Sequence, residues 1–164
     1  MKRILIGLLC ALLLCGCAQS TTSDAQTVTF YYRSIPGQYA SEAGVVCGEN
    51  YKKTPESTLQ SILQAYFSGP TQENLRAPFS SQTRLLDLSV QEDSATITLS
   101  SHFTYTAGID RSIACACIAK TVMDITGCKS VTILAGTADN ANRVQITLKA
   151  EDILLSDITP AQEG

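Results

Sequence analysis

Between residues 59 and 100 the apolar side chains change their spacing, and that change limits the folds open to the chain. Leu59, Ile62, Leu63, Tyr66 and Phe67 follow i, i+3, i+4, i+7, i+8, which places them on one face of a helix. Gln60, Ser61 and Gln64 then point away. Thr54 is placed to cap this helix, Pro55 suits its first position, Glu56 complements its dipole and Gly69-Pro70 ends it. Further along the period drops to two. Leu86, Leu88 and Val90 alternate with Asp87, Ser89 and Gln91, and Ala95, Ile97 and Leu99 alternate with Thr96 and Thr98. Glu92-Asp93-Ser94 forms the turn between them. Strict alternation buries one face and wets the other, as in an antiparallel sheet covered on one side. Both patterns in succession require helix packed on sheet.

The rest of the chain fits that frame. A first strand is expected over 27–33, rich in β-branched and aromatic residues, and Val45-Val46-Cys47 suggests a short second one. Ala114, Cys117, Ile118, Thr121, Val122 and Ile125 share a helical face within 110–125, and Gly127 is the expected stop. Strands over 130–134 and 144–148 follow, joined by the turn-prone stretch 136–143. The expected class is α+β: a mostly antiparallel sheet with two helices packed on one face. The strands 27–33 and 144–149 are expected to offer open edges for docking.

The N-terminus carries a different signal. Met1, Lys2 and Arg3 precede an uncharged stretch, 4–14, built mainly of Leu and Ile. It is too short to span a bilayer, which takes roughly 20 apolar residues, but has the length of a signal-peptide core. Leu14-Cys15-Gly16-Cys17 resembles the bacterial lipobox, in which a small residue precedes the Cys that receives the lipid. The expected organisation is a signal peptide over 1–16, a Ser/Thr-rich tether over 17–26, a domain over 27–150 and a tail over 151–164. Cys17 is the expected lipid attachment site, on the extracytoplasmic face of the cell membrane. One acyl chain holds a protein marginally; the lipoprotein resemblance implies two or three. The net charge of −3 and a single basic pair after the leader, Lys52-Lys53, argue against nucleic acid as a partner.

Four cysteines lie in the expected domain: Cys47, Cys115, Cys117 and Cys128. An even count outside the cytoplasm permits two disulfides in three connectivities, whereas buried thiols can also stay reduced as small hydrophobes. Cys115 and Cys117, if helical, point about 200° apart and cannot share one ion. A zinc site would also need Cys47, Cys128 or His102. Ser100, His102 and Asp87 could in principle be drawn as a nucleophile, base and acid. Ser100 and His102 instead read as strand-end residues without a nucleophile elbow, and His102 is expected to face solvent. Glu92-Asp93 at a hairpin turn and Glu151-Asp152 after the last strand read as solvated charges. Asp139, Asn140 and Asn142 lack the spacing of a calcium loop. No catalytic, metal or cofactor residue is therefore expected.

The order of elements resembles the GerMN domain, the sporulation and spore germination domain of bacterial lipoproteins. The likeness is carried by Leu59 through Gly69-Pro70, by Thr83-Arg84-Leu85-Leu86-Asp87-Leu88-Ser89-Val90, and by Ala95-Thr96-Ile97-Thr98-Leu99-Ser100-Ser101-His102-Phe103. It continues in Thr121-Val122-Met123, Gly127 and the segment from Lys129 to Gly136, and so spans roughly 27–137. Tyr66-Phe67 stands where the family usually has two aliphatic residues, Ala77-Pro78-Phe79 replaces a usual Leu-Pro pair, and only one copy is present. Cys115-Ala116-Cys117 is not a hallmark of the family. The resemblance implies a fold similar to ring-building domains and a non-enzymatic module with a protein partner in the envelope or spore assembly. The other class left open is a lipoprotein that presents a small molecule or wall fragment, for which an aromatic-lined pocket would speak.

Overall fold

The computed structural model describes residues 27–35, 46–137, 139 and 141–153. The expected signal peptide, Cys17 and the tether lie outside them, as does the tail beyond Ile153. The element order is β1 (Thr27–Ser34), β2 (Val46–Lys52), α1 (Leu59–Phe67), β3 (Leu75–Arg76), β4 (Leu85–Gln91), β5 (Ser94–Leu99), a 3-10 turn (Ser101–Tyr105), α2 (Gly108–Thr126), β6 (Ser130–Ala135), β7 (Val144–Lys149) and a last 3-10 turn (Ala150–Asp152). The α+β class, the two helices and the mostly antiparallel pairing are as the sequence implies.

The strands divide into two sheets, ordered β2-β1-β3 and β4-β5-β6-β7. All pairs are antiparallel except β5 with β6, which run parallel from Ser94↔Ser130 to Leu99↔Ala135. A parallel pair needs a long crossover, and α2 supplies it. Strand β3 pairs with β1 only at Arg33 and Ser34, so the expectation that 27–33 forms an open edge is corrected at its end. At Tyr31 helix α2 takes the place of a strand: the Tyr31 amide donates to Thr121 Oγ1 at 3.0 Å. Strand β7 ends its sheet among the described residues, the edge position expected for it.

Helix α1 starts later than the sequence suggests. Thr54-Pro55-Glu56-Ser57 forms a turn, with the Ser57 amide donating to the Thr54 carbonyl at 3.0 Å. Thr58 is the cap: its hydroxyl accepts from the Ser61 amide at 3.1 Å, and Ser61 Oγ accepts from the Thr58 amide at 3.0 Å. Thr54-x-x-Ser57 and Thr58-x-x-Ser61 are the same local signal, and the one adjoining the apolar face begins the helix. Ile62, Leu63, Tyr66 and Phe67 are buried, while Gln60, Ser61 and Gln64 are exposed, as the periodicity requires. Helix α2 ends at Gly127, whose φ of +74° is the left-handed conformation glycine accepts without strain.

Two apolar expectations change. Helix α2 packs against both β1 and β6, so Cys115, Ala119 and Met123 are buried along with Ala114, Cys117, Ile118, Thr121 and Val122. Strand β4 carries a bulge: Leu85 opposes Leu99 and Asp87 opposes Thr98, leaving Leu86 as the inserted residue. Leu86 is therefore 61% exposed and Val90, near the strand's end, 41% exposed; only Leu88 of the expected trio is half-buried. The partner strand β5 does bury Ala95, Ile97 and Leu99.

Candidate functional site

The polar groups of the interior are held in bonds that join elements. Tyr32 Oη donates to the Tyr66 carbonyl at 2.9 Å, and Tyr66 Oη donates to the Tyr31 carbonyl at 3.1 Å. Tyr31 Oη reaches Asp124 Oδ2 at 2.7 Å, and Lys120 Nζ sits 4.5 Å from the centre of the Tyr31 ring. These bonds link β1, α1 and α2. Burial pushes the phenols of Tyr32 and Tyr66 well above their ordinary range, with the Glu49 charge adding to the effect at Tyr32. Glu49 is buried and accepts from the Thr71 amide at 2.9 Å, the Gln72 amide at 3.0 Å and the Thr71 hydroxyl. It ties β2 to the loop after Gly69-Pro70.

The residues considered as a reaction centre are not joined. Ser100 Oγ accepts from the Arg84 amide at 3.1 Å and donates to the Gln82 carbonyl at 3.4 Å, which commits it to the approach to β4. Asp87 is exposed on β4. His102 lies in the 3-10 turn rather than at a strand end, and it is half-buried, not solvent-facing; its Nδ1 is enclosed without a hydrogen-bond partner. The turn that follows β5 rotates it inward beside Tyr105, ring centres 6.5 Å apart. No hydrogen bond among the described residues links Ser100, His102 and Asp87.

Cys47, Cys115, Cys117 and Cys128 are each buried as thiols rather than in disulfides. Cys115 belongs to the main core, whereas Cys117 packs with Tyr31 and Val46, so the two side chains diverge as their spacing requires. Burial raises Cys115 to about 11 against the opposing pull of Arg111. Burial likewise raises Cys117 to about 12, against Arg33. Both are protonated at neutral pH, the reverse of an activated thiolate. Among the described residues no three His, Cys, Asp or Glu side chains converge as a metal site would require. Glu92 and Asp93 are exposed at the β4–β5 turn, where Asp93 pairs with Lys129 at 2.6 Å; Glu151 and Asp152 are exposed after β7. Asp139 and Asn142 lie in the β6–β7 connection, and Asn140 lies outside the described residues.

Two cavities among the described residues open partly to solvent. One of about 260 Å³ is lined by Lys120, Met123, Asp124, Gly127, Cys128, Ala150 and Ile153. Another, of about 470 Å³, lies between the end of α1 and the start of β4, beside Gln64, Phe67, Arg84 and Leu85. The aromatic rings that could line a deep ligand pocket pack on one another instead. Tyr32 stacks on Tyr66 with centres 5.0 Å apart, Phe30 on Tyr51 at 4.7 Å, and Phe67 meets Phe79 at 4.9 Å. Sequence periodicity assigned Tyr66 and Phe67 to the core; the mutual stacking required Phe30 and Tyr32 of β1 and Phe79 after β3, which it could not supply. Among the described residues the four-stranded sheet ends in β4 and β7, and the three-stranded sheet in β2 and β3.

The Germane family, described as sporulation and spore germination, matches residues 29–141. Among solved structures, the first GerMN domain of the sporulation protein GerM from Bacillus subtilis is similar at 13% identity, covering 77% of this chain and 99% of that one, with a TM-score of 0.56. The tandem GerMN domains of the same Bacillus subtilis protein align at 14% identity over 73% of this chain and 41% of that chain, with a TM-score of 0.52. A chain from Clostridium perfringens described as a candidate lipoprotein has 20% identity over 78% of this chain and 89% of its own, with a TM-score of 0.49. No curated protein matches the sequence.

Proposed function

The chain belongs to the Germane family of sporulation and spore germination domains, and on that premise we propose that it is a lipid-anchored, extracytoplasmic docking module of the cell envelope rather than an enzyme. The observation that carries the reading is how the polar groups are used. Ser100, Glu49, Tyr32 and Tyr66 hold elements together, while the four-stranded sheet ends in two strands without a further partner among the described residues. An open strand edge offers amides and carbonyls to a partner chain. Cys17 is the attachment point for the lipid, and the tether 17–26 holds the domain off the membrane. No helix among the described residues is long and apolar enough to cross a bilayer, so anchoring in this reading falls to the N-terminus. The partner is a protein of the envelope or of spore assembly.

Fatty-acid labelling tests the anchor. The wild-type chain expressed in a bacterial host takes up labelled fatty acid and partitions into detergent. Cys17→Ala takes up none and leaves the detergent phase. Labelling retained in Cys17→Ala would remove the anchor from this account.

A further inference from the structure

We propose that the cavity between the end of α1 and the start of β4 binds the free C-terminal carboxylate of a short peptide whose last side chain is apolar, with Arg84 as its anchor. The cavity, of about 470 Å³, is lined by Gln64, Phe67 and Ser68 from the end of α1 and by Ser81, Arg84 and Leu85 from the approach to β4. A volume of this size suits a ligand of a few residues. The site is separate from the strand edges and from the lipid anchor, and depends on neither.

Arg84 is held in place before any ligand arrives. Its carbonyl accepts from the Ser100 amide at 2.9 Å, which fixes the backbone beside the end of β5. Its Nη1 donates to the Ser81 and Thr83 carbonyls, which fixes the side chain. The remaining donors, Nε and Nη2, lie on one edge of the planar guanidinium and make no hydrogen bond among the described residues. Two parallel N–H groups on one edge match the two oxygens of a carboxylate. No acidic side chain is among those that line the cavity, so the cation is unopposed there. Other cavities differ in this respect. Lys120 shares its cavity with Asp124, and in a third, at one end of the four-stranded sheet, Lys129 and Lys149 are paired with Asp93 and Glu151. The C-terminal end of a helix disfavours an anion, but carbonyls in the last turn of α1 are already occupied. The Gln64 carbonyl accepts from the Ser68 amide and hydroxyl, and the Tyr66 carbonyl from the Gly69 amide and the Tyr32 phenol. Phe67, which is buried, and Leu85, which is half-buried, supply the apolar wall for the last side chain. Gln64 and Ser81 are exposed, and their side chains make no hydrogen bond among the described residues. They are free to meet the peptide amide that precedes the carboxylate. Inorganic phosphate would find a single guanidinium and an apolar wall, which is a poorer match.

The test is isothermal titration calorimetry of the full chain in detergent with acetyl-alanyl-leucine, which should bind with a Kd of roughly 0.1–1 mM, the range a ligand of this size reaches. The C-terminal amide of the same peptide keeps the shape without the charge and should bind about tenfold more weakly or less. Arg84→Lys keeps the charge but removes the fork, and should weaken binding of the acid about tenfold. Gln64→Glu puts an anion at an exposed position of the cavity and should weaken it several-fold. Lys149→Gln, at a cation outside this cavity, should leave it unchanged. Circular dichroism checks that each variant is folded, and if Arg84→Lys is not, Gln64→Glu decides. No binding at concentrations up to about 10 mM overturns the proposal. So does equal affinity for acid and amide, wild-type affinity in folded Arg84→Lys or in Gln64→Glu, or loss of binding in folded Lys149→Gln. Displacement of the peptide by an equal concentration of inorganic phosphate also overturns it, since the site would then take anions in general.

Discussion

Thr83 is fully buried and its Oγ1 has no hydrogen-bond partner. A hydroxyl enclosed without an acceptor or donor opposite it costs free energy that a methyl group of the same shape does not. Thr83→Val should therefore raise stability by about 1 kcal/mol in urea unfolding; a loss of similar size would show that the hydroxyl is bonded after all. The cysteines make a second residue-scale prediction. Cys115 and Cys117 are pushed by burial to about 11 and about 12 from an ordinary value of 9.0. The folded state holds these protons more tightly than the unfolded chain. The stabilisation is complete below pH 9 and is lost as pH climbs toward 11 and 12, so the urea midpoint should fall over that window. Denatured chain from residue 17, with Cys17→Ser and no reductant, should titrate four free thiols, and the folded chain far fewer at pH 8. Slots for these side chains could be guessed from the sequence only for Cys117, which shares the apolar face of α2. Cys115 lies off that face and is buried in the main core, on a helix that packs against strands of both sheets, a tertiary fact that periodicity does not contain.

At the scale of elements, α1 gives the cleanest separation of buried from exposed positions. Leu63 is fully buried and Gln60 is exposed. Leu63→Ala should cost roughly 2–5 kcal/mol, and Gln60→Ala less than about 0.5 kcal/mol. Equal effects in denaturant unfolding would contradict the packing of this helix on the core. The helical face, the stop at Gly69 and the left-handed cap at Gly127 were legible because each rests on spacing or local backbone chemistry. The start of α1 was not, since Thr54-x-x-Ser57 and Thr58-x-x-Ser61 satisfy the same capping geometry and only packing chooses between them. The bulge in β4 is a similar case. Alternation through Leu86, Leu88 and Val90 is real in the sequence, but one inserted residue shifts Leu86 out of phase with the core.

At the scale of the molecule, the α+β class followed from the switch between helical and strand periods, whereas the partition into two sheets did not. Pairing of β1 with β2 and β3, and of β5 with β6 in parallel, is set by contacts distant in sequence. That partition pairs the end of β1 with β3 and leaves β4 and β7 as the ends of the other sheet; an edge at β7 was expected from the sequence, and one at β4 was not. The separation of Ser100, His102 and Asp87 is likewise a whole-molecule matter, because they are close in sequence yet are held in unrelated surroundings. The most direct measurement is complementation in the native host by one chain carrying Ser100→Ala, His102→Ala and Asp87→Asn together. In a catalytic unit the loss of one member removes most of the activity, whereas a docking module has no such unit. The account predicts that the triple variant, shown by circular dichroism to be folded and by detergent partition to be anchored, supports function as the wild type does. Loss of function in a folded, anchored triple variant would contradict it and return the protein to the enzymes.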